Sequence, residues 1–451
     1  MPTQNDNPGI QPVNTTNYFH YRDPNLNRLE NAMDYDAIGQ PVLRTTNKIG
    51  QSDAFGRLRI SEPFTLGDYK HLYGLDPNFI DNITNGGSVV FQANKACARL
   101  TTSNNSSSRV VHQTKFYHHY MPGKSQQILS SFNFYAATAN VTKRTGYYDD
   151  NNGIFFEQAG DGTLSWVVRT YVNGQVDENR KTQSQWNIDP CNGQGTSTFI
   201  LDITKTQLIF IEFQWLGVGT VTVGFVHEGA FVPCHQFHHS NNLPTVYMSS
   251  PNLPVRCEIL NTGTTAGAYF DQICSTVVSE GGYVEVGQDW AVSSPTARTM
   301  NDGTTVPIIA IRLKNTFRTY PNRMIVRMGN LSVFGTQENM EYKLIKLPNI
   351  SQLTTGTAWV SVNDNSGVEY NAGATAYTDG EMIDGGYISA TTQGSQKSAG
   401  APPSNIPSAA KKNFIVQNFD STDSEIFVVA VTNIGSADGT ARVSLQWREI
   451  Y

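Results

Sequence analysis

Residues 207–215 read QLIFIEFQW. Ile209, Ile211, Phe213 and Trp215 share one face of an extended chain and Glu212 and Gln214 the other, which is the period of two that a half-buried strand requires. Thr220 to His227 repeats the pattern with Val221, Val223 and Phe225. Glu228-Gly229 then offers a two-residue turn into Ala230 to His239, so the whole stretch reads as a hairpin. A second hairpin is expected where Tyr171-Val172 and Gln175-Val176 flank Asn173-Gly174, because Asn-Gly supplies the positive φ angles of a tight turn. Toward the end of the chain, Ala441, Val443, Leu445 and Trp447 alternate with Arg442, Ser444, Gln446 and Arg448 after the Asp438-Gly439 turn. A strand from Glu425 to Val431 precedes them. Short strands, frequent Gly, Asn and Asp turns and almost no helical periodicity predict an all-β fold of two β-sandwich or jelly-roll-like domains.

A chain of 451 residues is long for one core, so two domains and an extension are expected. Residues 1–60 form the extension. Its opening, MPTQNDNPGIQPVNTTN, is too polar to build a core and reads as an extended arm, mobile or ordered by a neighbour. A short helix is expected within the arm: Asp23 can cap it, Pro24 suits the first helical position, Leu26, Leu29 and Met33 recur at helical spacing, and Gly39 and Pro41 end it. The first sandwich is assigned to residues 61–290 and the second to 291–451. Between them VGQDWAVSSPTARTMNDGTTV, from Val286 to Val306, loses alternation and gathers turn formers. The polar stretch from Thr391 to Ser408 reads as a long loop inside the second domain.

Composition narrows the partners. Charged residues make up 16% of the chain and the net charge is -6, against roughly a quarter charged in an average soluble protein. Phosphate binding needs concentrated Lys and Arg, and no basic cluster longer than Lys411-Lys412 occurs, so a nucleic-acid partner is not expected. No window approaches the ~18–20 apolar residues that cross a bilayer, and the first residues lack a signal-peptide pattern. Neither membrane insertion nor export is expected, and synthesis in a cytoplasm is. The cysteines Cys97, Cys191, Cys234, Cys257 and Cys274 are odd in number and without CxxC spacing, which fits reduced core residues better than a disulfide framework.

Chemistry-bearing clusters were weighed in turn. Cys234, His235, His238 and His239 in PCHQFHH, with His118 and His119 in FYHHY, are the densest set of metal-ligating types. A regular strand would send Cys234 and His238 to one face and His235 and His239 to the other unless a bulge or turn intervened. Pro122-Gly123-Lys124-Ser125 ends like a phosphate-binding loop, but His118 stands where its first Gly is needed, so it reads as a turn. Asp149-Asp150-Asn151-Asn152 and Asn363-Asp364-Asn365 lack EF-hand spacing and read as solvated loops. There is no GxSxG elbow and no HExxH. A glycosidase needs only two carboxylates close in space, for which Glu157 and Asp161 are candidates by proximity alone. Trp166, Trp186, Trp215 and Trp290 would stack on sugars if exposed, although Trp166 and Trp215 lie in apolar strand patterns. No catalytic, cofactor-binding or metal-binding residue is assigned, and no cofactor.

Residues 52–71, SDAFGRLRISEPFTLGDYKH, resemble the opening of a family of virion structural proteins of tailed phages, especially marine and cyanobacterial ones. Segments further along are similar to that family in the same order: NNGIFFEQAGDGTLSWVVRT, SQWNIDP, LDITKTQL, WLGVGTVTVGFV, CHQFHH, STVVSEGGY, SGVEY and SLQWREI. The resemblance spans about Asp53 to Trp447, and its first motif is the distinctive one. It implies a place in a particle, in the capsid surface, neck, tail or fibres, and it brings no catalytic residues. Asp53 to Arg59, with Phe55 and Leu58 among charged residues, reads either as a clamp between arm and sandwich or as an ordinary domain entry.

The expected function is therefore structural: a non-enzymatic virion component, assembled in the host cytoplasm, that acts through contacts with other virion proteins and with copies of itself, trimers among the symmetric options. The alternative is a fibre or tail protein that binds a host-surface glycan through exposed aromatics on sandwich loops.

Overall fold

The computed structural model describes residues 63–265, 267–389 and 414–451, together with the backbone of short strands at 10–12, 19–23, 28–30, 33–35, 41–43 and 395–399. Among the described residues there is no α-helix, and Gln183–Gln185 and Ile350–Gln352 are single 3-10 turns. The four largest antiparallel sheets form two pairs, beside four small sheets of two or three strands, so the described residues are all-β and built as two sandwiches.

The first sandwich packs a seven-stranded sheet on an eight-stranded one. The seven strands lie in the order Asp177–Thr182, Leu164–Thr170, Gly153–Gln158, Val141–Tyr148, Val255–Asn261, Ser108–Thr114, Phe79–Thr84. The second sheet runs Ala230–Phe237, Val221–His227, Gln207–Phe213, Ser125–Asn133, Tyr269–Glu280, Cys97–Thr102, Gly87–Gln92, and Phe64–Lys70 adds to Tyr269–Glu280. The predicted inward faces meet between them: Ile209, Ile211, Phe213, Val221, Val223 and Phe225 are buried against Ile154, Phe156, Trp166 and Val168 of the opposite sheet. Phe156 centres this core, 5.0 Å from the Trp166 ring and edge-on to Phe225 at 5.3 Å. Each such side chain removed from water stabilises the fold by ~1.5–3 kcal/mol.

The second sandwich joins a sheet containing Gln288–Ser293, Gly439–Ile450, Ile325–Thr336 and Ser395–Ala399 to one ordered Val360–Ser361, Val368–Asn371, Thr305–Leu313, Ile426–Asn433, Met340–Leu347, Glu381–Ile388. Ala441, Val443, Leu445 and Trp447 point into its core, as their alternation predicts, against Ile309, Ile311, Phe427, Val429 and Val431. Thr305–Leu313 and Ile426–Asn433 are apolar at consecutive positions because they are covered on both faces. Ala310, Ile426, Val428 and Ala430 pack in a separate cluster beneath Leu353 and Ala374.

Three local expectations come out differently. The helix expected from Asp23 to Gly39 lies mostly outside the described residues, and the pieces that are described, Arg28–Glu30 and Met33–Tyr35, are strands. The hairpin at Asn173-Gly174 exists, but its ladder closes at Thr170 and Asp177, so Asn173 sits in a wider loop and only Gly174 takes a positive φ. The stretch from Val286 to Val306 is not irregular throughout: Gln288–Ser293 and Arg298–Met300 both pair with Gly439–Ile450. By contrast Glu228 and Gly229 both take positive φ between the paired His227 and Ala230, as a two-residue turn demands. The long loop expected at 391–408 falls outside the described residues apart from Ser395–Ala399, a strand that pairs with Leu331–Gly335.

The two sandwiches touch where the segment after Ser108–Thr114 meets the second unit. Phe116 is edge-on to Phe414 at 6.0 Å, Arg323 lies 4.7 Å over the Tyr117 ring, and Lys115 pairs with Glu425 at 3.5 Å.

Candidate functional site

The described part of the 52–71 motif begins at Pro63 and is built into the first sandwich. Phe64–Lys70 runs beside Cys274–Ser279, with a bulge that leaves Leu66 unpaired between Val277 and Val278. That edge is open because Cys97–Thr102 pairs only with the first residues of the same long strand, Tyr269 to Gln272. Tyr69 and His71 are the anchors, 2% and 0% exposed. His118 Nδ1 lies 3.1 Å from the Leu253 carbonyl oxygen, which can only accept, so the neutral ring carries its proton there. Nε2 then accepts from the Tyr69 hydroxyl at 2.8 Å. His71 is held through the opposite tautomer: Nδ1 accepts from the Asp76 amide at 3.0 Å, and Nε2 donates to Gln272 Oε1 at 2.5 Å. Burial keeps the Tyr69 hydroxyl well above its ordinary pKa and lowers His71, so both stay neutral. Gly67 makes the strand possible, since a Cβ there would come 2.6 Å from the Tyr69 hydroxyl. At the other end of the strand Phe64 stacks on Tyr283, 4.8 Å between centroids and 14° between planes.

A second constellation covers the outer face of the seven-stranded sheet. Register places Glu157, Arg144 and Glu258 side by side on three neighbouring strands. Cross-strand neighbours of opposite charge attract along such a row. Arg144 bridges the carboxylates, with Nε 2.7 Å from Glu157 and Nη1 3.0 Å from Glu258. Arg109 adds a 2.9 Å bond to Glu258, Arg180 a 3.0 Å bond to Glu157, and Arg169 pairs with Glu178 at 2.8 Å. Arg256 and Arg109 both reach Asp150. The guanidinium planes rest on Tyr148, Phe155 and Val167, a buried apolar patch; Arg169 lies 4.9 Å over Phe155 and Arg256 5.4 Å over Tyr148. Gly146 leaves the room, because a Cβ would come 2.4 Å from the Ile154 carbonyl oxygen.

The electrostatics of this face decide its chemistry. Burial alone would raise the Glu258 carboxyl, but Arg109 and Arg144 hold it below the ordinary range. For Asp150 the same contest, with Arg256 and Arg109, ends at about 2. A glycosidase needs one carboxylic acid kept protonated at working pH. These groups are driven the other way and are already bonded to arginines. Glu258 and Asp150 therefore do not suit the part of the protonated acid.

The residues singled out from the sequence are scattered. Glu157 belongs to the network, while Asp161 sits in an exposed turn and accepts the Thr163 amide at 2.9 Å. A bulge at Cys234 intervenes in PCHQFHH, since Val223 pairs with His235 and Gly224 with Pro233. It turns Val232, Cys234 and Phe237 all toward the core. His235 Nδ1 accepts the Asn187 amide, His239 bonds the Gly219 carbonyl and stacks on Tyr247 at 4.1 Å, and His238 is exposed. No group of three or more His, Cys, Asp or Glu is arranged to hold a metal ion among the described residues. Met121 to Lys124 close a turn, and Lys124 Nζ donates to Gly282. Asp149 accepts the amides of Asn151 and Asn152, and Asn363 that of Asn365. Trp166 and Trp186 are buried and Trp215 and Trp290 half-buried, so none of the four is free to stack on a sugar. The most exposed aromatics among the described residues are tyrosines, Tyr73, Tyr320 and Tyr387.

The arginine face was not singled out from sequence. Its signal was present as charged residues inside strands that also carry core side chains: Arg144, Glu157, Arg169, and the pair Arg256 and Glu258. Which of them meet depends on register, which no single strand reveals.

No protein-family model matches the chain, and no curated protein matches it. Among solved structures, the chain is similar to a beta-1,3-glucanase from Mycobacterium marinum, at 12% identity and TM-score 0.33 over 47% of this chain and 98% of that one. It is similar to a legume lectin-like domain from Entamoeba histolytica at 7% identity and TM-score 0.30, over 48% and 98%. A protein of unknown function from Shewanella oneidensis MR-1 matches at 8% identity and TM-score 0.31, over 51% and 94%. Likenesses of this order carry nothing about activity.

Proposed function

We propose that this chain is a structural component of a tailed-phage particle that works by assembly and not by catalysis. The observation that supports the reading is the anchoring of the 52–71 motif. Its second half, Phe64–Lys70, is an added strand locked by buried Tyr69 and His71, and its first half follows the polar residues 1–51 in the sequence. A sheet that holds the base of a long polar arm so firmly can transmit load from a neighbour bound to that arm. The network of Glu157, Arg144 and Glu258 fits the same role, because it ties three neighbouring strands of one sheet together through ion pairs.

Mass spectrometry of purified particles tests the reading, and the chain is expected among the virion proteins. Its absence from particles sinks the proposal. Deletion of residues 1–62 is expected to leave the sandwiches folded and to abolish incorporation. Normal incorporation of the deleted chain would move the attachment function off the arm.

A second reading, binding of a host-surface glycan, is favoured by exposed Tyr73, Tyr320 and Tyr387, which present aromatic faces to solvent. It predicts glycan-array binding that Tyr320→Ala or Tyr73→Ala weakens at least tenfold.

A further inference from the structure

We propose that Cys191 and Cys234 form a redox-linkable pair whose disulfide staples together the open side of the first sandwich. Their sulfurs lie 3.2 Å apart with both side chains buried. At that separation the sulfurs are in direct contact, about 1.2 Å beyond the ~2.05 Å of a disulfide. The approach is enforced by the backbone. The amides of Ile188 and Asp189 both donate to the Cys234 carbonyl, at 3.0 and 3.2 Å. Asp189 Oδ1 in turn accepts the Cys191 amide at 2.8 Å, and Leu201 donates to the Cys191 carbonyl at 2.9 Å. Cys191 takes a left-handed φ of 49°, and Cys234 is the bulge residue of its strand. Two local irregularities, one in a connection and one in an edge strand, thus aim two thiols at each other.

The place of the pair gives the bond its effect. Cys234 lies in Ala230–Phe237, the edge of the eight-stranded sheet, and Cys191 in the connection that leaves Asp177–Thr182, the edge of the seven-stranded sheet. A link between them closes a loop of 43 residues and ties the two edges. Such a closure removes conformations from the unfolded chain that the reduced protein keeps. Burial pushes the Cys234 thiol well above its ordinary pKa, so the native thiol exchanges slowly, and the bond forms as the edge opens or during folding.

The step is thiol–disulfide exchange with a low-molecular-weight disulfide such as oxidised glutathione. Two S–H bonds break and one S–S bond forms in the protein. The reagent's S–S bond breaks, and its two sulfurs take the electron pair and both protons, leaving as two thiols. The inference does not depend on the assembly reading.

The test uses the full chain carrying Cys274→Ser, which removes the exposed thiol and with it cross-links between molecules. The protein is refolded in a glutathione redox buffer and compared with the same sample after reduction. A loss of about 2 Da, a peptide containing both Cys191 and Cys234, and two of four thiols protected from alkylation after denaturation are expected. The linked form is expected to melt about 5–10 °C above the reduced form. The same treatment of Cys234→Ser should give neither the link nor the shift. Four free thiols after refolding, or a link through Cys97 or Cys257, overturns the proposal.

Discussion

The Tyr69 hydroxyl donates to Nε2 of His118 across 2.8 Å, inside the protein, between residues 49 positions apart. Because the other ring nitrogen of His118 is committed to the Leu253 carbonyl, no alternative donor is available from within the ring. Tyr69→Phe removes the donor of this buried bond and should cost about 1–3 kcal/mol. Thermal denaturation followed by circular dichroism is the measurement, and an unchanged melting temperature would mean that a water replaces the hydroxyl.

Gly67 and Tyr69 are coupled through the space the phenol ring occupies. Gly67→Ala is expected to destabilise by about 1–3 kcal/mol, because the ring is held at both its edge and its hydroxyl. In a Tyr69→Ala background the same change should cost less, since nothing then opposes the new methyl. A double-mutant cycle reads the difference, and strict additivity would refute the contact.

On the charged face, Glu258 is 2% exposed and bonded to Arg109 and Arg144. Glu258→Leu removes one charge and strands its buried partners, for an expected loss of about 3–5 kcal/mol. Asp161→Asn, in an exposed turn, should stay within about 0.5 kcal/mol. Urea unfolding of both variants gives the comparison, and equal effects would show the network to be marginal.

Acid should weaken the fold in two stages. His235 is lowered to about 4 by burial first, with Lys181 and His238 adding to it, whereas the unfolded ring titrates near ~6.5. The folded ring binds fewer protons than the unfolded one between those values, so its contribution is complete above ~6.5 and is lost as pH falls toward 4. The limb amounts to about 3 kcal/mol. Protonation breaks the bond that Nδ1 accepts from Asn187. Asp150, held at about 2 by arginines that overcome its burial, adds a second loss from the unfolded value of ~3.9 downward. Melting temperatures between pH 8 and 3 should show both limbs, and His235→Gln should shrink the first, to which the buried His71, His119 and His239 also contribute, while leaving the second.

Much of the fold was legible locally. Alternation in 207–215 and 441–447 assigned faces that the core uses, and Glu228-Gly229 specified its turn, because side-chain direction and turn dihedrals depend on neighbours a few residues away. The helix expected around Pro24 lies mostly outside the described residues. For the site, sequence supplied the motif whose second half is the anchor strand, and it supplied Glu157 without its partners.

What the amino-acid sequence by itself determined is the all-β character, the burial face of most strands and the absence of the common catalytic motifs. Only the tertiary structure decided which strands are neighbours. Ile426–Asn433 and Gly439–Ile450 are adjacent in the chain yet lie in opposite sheets. Arg144 meets Glu258 from 114 positions away, Tyr69 meets His118 from 49, and Cys191 meets Cys234 from 43. The physical reason is that a period of two is written along one strand, whereas register is a property of two strands and of the hydrogen bonds between them.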